Sequence, residues 1–137
     1  MDTGPIEISA AGMRAQRLRM DVIATNLANA ETTSASREGT DVVRHVPYRR
    51  KTVVFAEGPG GPVATVVEDP SPFRAEHQPD HPHAVREGED AGTVYFPNVH
   101  PIVETVEMML AARAYEANLS AVDTAKAMNQ AALRILA

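Results

Sequence analysis

From Pro101 to Ile135 the chain contains no glycine and no proline after Pro101 itself. Apolar or small residues recur there at Val103, Val106, Leu110, Ala114, Ala117, Ala121, Met128, Ala131 and Ile135. The steps are threes and fours or their sums, with Thr124 filling the one gap, as one seam of an α-helix or coiled coil requires. A second apolar set, Met108, Ala112, Tyr115, Leu119, Val122 and Leu133, falls on roughly the opposite side at about 100° per residue. At ~1.5 Å per residue such a helix is on the order of 50 Å long. That exceeds the core of any single domain a chain of 137 residues can build. A helix with two apolar faces needs more than one neighbour, so the fold turns on what this helix packs against.

Composition narrows the answer. Aromatic residues are only 4% and tryptophan is absent, so Ala, Val, Leu, Met and Ile must do the packing. That suits helix–helix interfaces better than a thick globular core. A net charge of −5 argues against broad nucleic-acid binding. Without cysteine there is no disulfide, thiolate metal site or cysteine nucleophile. No apolar run approaches the length of a membrane-spanning helix. The first twenty residues lack the basic-then-apolar layout of a secretory signal, so an exit from the cytoplasm is expected to use a route that needs none.

Taken in order, Met1 to Pro5 reads as a frayed terminus. A first helix is predicted from Ile6 or Ser9 to about Ala28, with Ser9 the candidate N-cap and Gly12 weakening the first turns. It too carries two apolar stripes, Ala11, Ala15, Leu18 and Val22 on one and Met13, Met20, Ile23 and Leu27 on the other. An antiparallel pair of the two terminal helices would bury one stripe of each. The stripes left exposed would mark an interface. Asn26 to Ala30 ends the first helix, and Glu31 to Asp41 reads as a loop. Tyr48 to Phe55 and Val63 to Val67 have strand composition and flank Gly58-Pro59-Gly60-Gly61-Pro62, which predicts a hairpin with a loose connection. Asp69-Pro70-Ser71-Pro72-Phe73 should stop the ladder. Gln78 to Gly92 reads as a loop, Thr93 to Phe96 as a third strand, and Asn98 as a cap before the long helix. The fold class is therefore mainly α with a small β region. Residues 1–30 and 101–137 form the two helices of an antiparallel coiled coil, and residues 31–100 an extended middle segment with a short hairpin.

One cluster looks chemical. His77, Asp80, His81 and His83 lie within seven residues and could bind zinc or nickel. Pro79 and Pro82 prevent a helix from aligning those ligands, and polar turn residues are the plainer reading. Ser, His and Asp occur in no nucleophile-elbow setting, and Gly58 to Pro62 is followed by no Lys-Ser/Thr of a phosphate loop. Arg49-Arg50-Lys51 is a basic run at a strand start. Met108, Met109 and Met128 sit on helical stripes and read as packing. Ala114, Ala117 and Ala121 admit a second backbone closely, which favours dense helix packing over a pocket. No catalytic, cofactor-binding or metal residue is expected.

The segments Ala11-Gly12-Met13-Arg14-Ala15-Gln16-Arg17 and Val22-Ile23-Ala24-Thr25-Asn26-Leu27-Ala28-Asn29-Ala30 resemble the N-terminal signature of bacterial flagellar rod and hook axial proteins. Three further blocks are similar to the proximal-rod members: Pro47-Tyr48-Arg49-Arg50-Lys51 with Val53-Val54-Phe55, Asp69-Pro70-Ser71-Pro72-Phe73-Arg74, and Pro97-Asn98-Val99. Arg113-Ala114-Tyr115-Glu116-Ala117-Asn118 completes the series. Glu31 stands where the signature more often has Asn, and Ser34 to His45 is charged. The resemblance implies a structural subunit, not an enzyme, exported by the flagellar type III apparatus and assembled as a helical oligomer into the hollow rod within the periplasm. Its implied partners are copies of itself, other rod proteins and basal-body export or adaptor components. The implied subunit-interface residues are Met13, Met20, Ile23, Asn26, Leu27, Asn29, Leu110, Ala114, Tyr115, Ala117, Asn118, Ala121 and Met128. In the middle segment, Tyr48, Arg49, Arg50, Pro72 and Phe73 are the contact candidates. A soluble metal-binding protein using His77–His83, or an export-associated adaptor, are the alternatives.

Overall fold

In the computed structural model, which describes residues 4–33 and 46–136, helix α1 spans Pro5–Ala28. Proline at the first helical position has its φ already set and no amide to leave orphaned. Gly4, in extended conformation, is the cap, and its carbonyl accepts the amides of Glu7 and Ile8. The Ser9 expectation is thus corrected. Its hydroxyl lies inside the helix and donates back to the Pro5 carbonyl at 2.9 Å. Asn29 closes the other end, where its amide and its side chain both bond the Thr25 carbonyl. The predicted loop from Glu31 to Asp41 falls mostly outside the described residues, as does the charged stretch Ser34 to His45.

Helix α2 runs from Pro101 to Leu136. The carbonyl of His100 accepts the first helical amide, from Glu104, at 3.0 Å. Asn98, expected as the cap, points elsewhere, for reasons given below. The two helices are antiparallel. Asn26 meets Glu104, and Gly12 lies so close to Asn118 that a Cβ there would stand 2.8 Å from the Asn118 amide oxygen. Both pairs of numbers sum to 130, which fixes the register from Gly12 to Asn26 on α1 and from Glu104 to Asn118 on α2. The face α2 turns inward carries Glu104, Met108, Ala111, Tyr115, Asn118, Val122 and Ala125, all buried or half-buried. Their alternating steps of four and three are those of a coiled-coil seam. On α1 the buried residues are Ala11, Gly12, Ala15, Val22, Ile23 and Asn26.

Strands β1 (Lys51–Gly58) and β2 (Gly61–Glu68) form an antiparallel hairpin in register from Lys51 opposite Glu68 to Gly58 opposite Gly61. Its connection is tight where a loose one was expected. Pro59 and Gly60 alone make the turn, and the Gly60 amide bonds the Gly58 carbonyl at 2.8 Å. Gly61 makes this possible. Its φ of +113° disfavours a side chain, and a Cβ there would sit 2.8 Å from that of Ala11, because the hairpin end rests on α1.

Strands β3 (Arg74–His77) and β4 (Thr93–Phe96) form a second antiparallel pair. The third predicted strand is therefore present but does not extend the hairpin. Its partner has the sequence Arg-Ala-Glu-His, which shows no strand signature. The pairing is imposed by the intervening loop, which folds back through bonds from the Gln78 amide to Gly92 and from the Val85 amide to Thr93. Val94, Phe96, Pro97 and Val99 are buried here.

Candidate subunit interface and the polar clasp that positions it

Asn26 is 0% exposed and so is the Glu104 side chain. Buried groups of this kind persist only with their hydrogen-bonding capacity met. The Asn26 amide donates to the Lys51 carbonyl at 2.7 Å and to Glu104 Oε2 at 3.0 Å. Its oxygen accepts the Lys51 amide at 3.0 Å and the Tyr48 hydroxyl at 2.9 Å. One side chain of α1 therefore acts as a strand partner for β1 while gripping α2.

The clasp continues outward. Arg50 Nε donates to Glu104 Oε1 at 2.7 Å, and its guanidinium reaches Asp69 at 3.2 Å. Asn98 accepts the Arg50 amide at 2.8 Å and donates to the Ser71 hydroxyl at 2.8 Å, which is why it does not cap α2. Arg49 donates to the Asp69 and Ser71 carbonyls and lies 4.4 Å over the Phe73 ring. Arg74 stacks 4.9 Å over Phe96. Arg19 on α1 pairs with Glu107 on α2 beside this network.

The electrostatics follow from these contacts. Asp69 is held below its ordinary carboxylate value, chiefly by the amide and hydroxyl of Ser71 and further by Arg50. Burial disfavours the Arg50 charge, but Glu104 and then Asp69 more than offset this, and its value is raised. Burial, then the negative charge of Glu104 and Glu68, pushes the Tyr48 hydroxyl up. The cluster can hold four segments in fixed relation. It presents no open nucleophile or general base.

Beyond the clasp, the helix pair has a large unpartnered face. The α2 seam Val103, Val106, Leu110, Ala117, Ala121, Met128, Ala131 and Ile135 is exposed, and Ala114 is half-buried within it. Leu110 is 56% exposed and Ile135 85%. The inward seam thus takes Met108, Tyr115 and Val122 from the smaller apolar set but leaves its Leu119 and Leu133 exposed, and the longer set that dominates the sequence is left outside. Of the other interface candidates, Leu27 is exposed, and Met13, Met20, Asn29, Tyr115 and Asn118 are half-buried. Ile23 and Asn26 are buried within the chain, so the interface reading does not extend to them. In the middle segment Pro72 is exposed, whereas Tyr48, Arg49, Arg50 and Phe73 are half-buried in the clasp. Reading from sequence missed Glu104 and Gly12. The signal for Glu104 was a carboxylate at an inward heptad position. That for Gly12 was a glycine in mid-helix, tolerated because a side chain from α2 comes close.

The histidine cluster does not converge as a ligand set, although the His81 and His83 rings stay edge to face with centroids 5.4 Å apart. His77 ends β3, His81 Nδ1 accepts the His83 amide at 3.1 Å, and His83 Nδ1 lies 2.7 Å from the Thr33 hydroxyl. Among the described residues no group of three or more His, Cys, Asp or Glu side chains is placed to hold a metal ion. No helix among them is long and apolar enough to cross a membrane.

Residues 6–35 match the family described as flagella basal body rod protein, and residues 90–135 match the flagellar basal body rod FlgEFG protein C-terminal family. The chain is 35% identical to the flagellar basal-body rod protein FlgC of Borreliella burgdorferi, covering 96% of this chain and 95% of that one. It is 36% identical to FlgC of Bacillus subtilis over 95% of both, and 37% identical to FlgC of Salmonella typhimurium over 89% of this chain and 88% of that one. The chain belongs to the FlgC family of flagellar basal-body rod proteins. Within a FlgC-family chain the scattered sequence blocks acquire a common purpose. Asn26, Tyr48 to Lys51, Asp69 to Phe73 and Asn98 are far apart in sequence and meet in one clasp. FlgC-family membership makes the chain a structural component of the flagellar basal body.

Proposed function

We propose that this chain is a proximal-rod subunit that packs with copies of itself and with other axial proteins into a hollow drive shaft. The carrying observation is the exposed α2 seam from Val103 to Ile135, which no element of the chain covers among the described residues. Burying apolar area is worth about 25 cal/mol per Å², so a continuous seam of this length favours neighbouring helices strongly. Small residues at Ala114, Ala117 and Ala121 let those neighbours approach closely. On this reading residues 1–30 and 101–137 are the packed shaft, and residues 31–100 are the arm that meets adjoining subunits through Pro72, Phe73 and the basic run. The work is mechanical: torque is passed along the helix pairs and cargo through their lumen, with no catalysis. Export by the flagellar type III apparatus to a rod crossing the periplasm, and contact with export or adaptor components, belong to the same proposal.

The test is the protein composition of washed hook–basal bodies together with Leu110→Asp. The wild-type chain is expected to remain after detergent and high salt. Leu110 is exposed, so the variant is expected to fold with unchanged helicity yet be missing from basal bodies, with swimming lost. Normal swimming with Leu110→Asp would overturn the reading.

A further inference from the structure

The helix pair is unequal. With positions summing to 130, Pro5 at the start of α1 stands level with Ala125, and α2 continues beyond it. Burial agrees: Val122 is buried, Ala125 half-buried, and every residue from Lys126 to Ile135 exposed. This overhang of about three turns carries Met128, Ala131 and Ile135 on one face and Leu133 on another. Its only charges are Lys126 and Arg134. Elsewhere on the chain an open groove of about 380 Å³ lies between α1 and the hairpin tip, with Ala11, Ala15, Leu18, Pro62 and Val63 in its lining and Arg14 among them. Two carboxylates stand by its tip end, outside the lining itself. Glu7 approaches to 3.9 Å of a Cβ placed at Gly60, and Glu57 precedes the turn.

We propose that the α2 overhang of one copy docks in the α1–hairpin groove of a second copy of this chain. The inference rests on the rod-subunit reading and names a contact within it. The apolar face Met128, Ala131 and Ile135 fills the groove, whose volume takes a few aliphatic side chains. Arg134 lies toward Glu7 and Glu57 and away from Arg14, which sets the direction of the docked helix. Overhang and groove are different surfaces, so each copy offers one and receives the other. A heterologous contact of that kind gives a ring or an open helical array rather than a two-fold dimer, and the rod-subunit reading takes the open array. The contact cannot form within one chain, since Ile135 projects about 24 Å past Ala11 along the helix pair.

The natural chain has no cysteine, so paired substitutions report cleanly. Ile135→Cys with Val63→Cys, both at exposed positions, is treated with a short bismaleimide in isolated basal bodies. Dimers and higher multimers are expected from the pair and not from either single variant. Monomer alone, with the chain present in those basal bodies, would overturn the docking while leaving the rod reading intact. A dimer from Ile135→Cys by itself would also overturn it, because the overhang would then meet its own copy. Absence of the wild-type chain from basal bodies would sink both. Independently, Arg134→Glu is expected to lower incorporation several-fold and Glu7→Lys with Glu57→Lys to restore it; failure of the charge exchange to restore incorporation counts against the docking.

Discussion

Asn26 shows how much one side chain can organise. Its amide does for β1 what a neighbouring strand would do, and does so from a helix. Truncating it leaves the Lys51 amide and carbonyl and one Glu104 oxygen without their partner. A buried unsatisfied polar group costs about 1–3 kcal/mol, so Asn26→Ala is expected to lower unfolding free energy by at least that range in urea titration. Arg50 and Glu104 make a sharper case. Breaking a buried pair from one side typically costs about 3–5 kcal/mol, whereas replacing both partners by apolar groups is far milder. Arg50→Met is therefore expected to be less stable than Arg50→Met combined with Glu104→Leu. Gly12 is the third such residue: Gly12→Val is expected to lower the melting temperature, because the Asn118 side chain occupies the space a Cβ needs.

At the scale of elements, α2 divides into a clasped part and a free part. Its first turns, about seven as far as Ala125, share a seam with α1, while the turns after Ala125 have no intramolecular partner among the described residues. Short helical stretches without tertiary packing are marginal in water. In the dilute monomer, amides from Met128 onward are expected to exchange with solvent orders of magnitude faster than those near Ala111, and to slow on assembly. Equal protection along the whole helix would contradict this. The hairpin depends on α1 in a different way. A two-stranded ladder alone is barely stable, and this one leans on α1 where Gly61 meets Ala11. Gly61→Ala, which meets both the positive φ and that close approach, is expected to loosen the hairpin while α1 and α2 stay paired, seen as faster exchange confined to residues 51–68.

For the whole molecule, the clasp sets how stability answers to pH. Asp69 has a folded value below its ordinary one. Its contribution is complete above the unfolded carboxylate value of about 4 and is lost as pH falls through the folded value. Tyr48 has a raised value. Its contribution is complete below about 10 and is lost as pH rises through the folded value. As far as these two groups govern it, the urea midpoint should be level between those limits and decline outside them. Asp69→Asn should flatten the acid limb.

The sequence by itself determined the class, the two long helices, the hairpin and its position, and the absence of a hairpin extension past Asp69. Each of these is written in local periodicity or in turn chemistry, which act over a few residues. Tertiary structure alone decided which of α2's two apolar seams turned inward. The longer one, with Leu110 and Ile135, is the better seam by count, yet the face that turned inward keeps Met108, Tyr115 and Val122 of the smaller set and adds Glu104 and Asn118, whose polar groups find partners only there or lie where Gly12 leaves room. Asn98 was diverted from capping by Arg50 and Ser71, and the strand Arg74–His77 was recruited by a loop folding back on β4. These outcomes depend on residues far apart in the chain, 27 positions for Asn98 and Ser71 and 78 for Asn26 and Glu104, and no short-range pattern encodes a contact at that range.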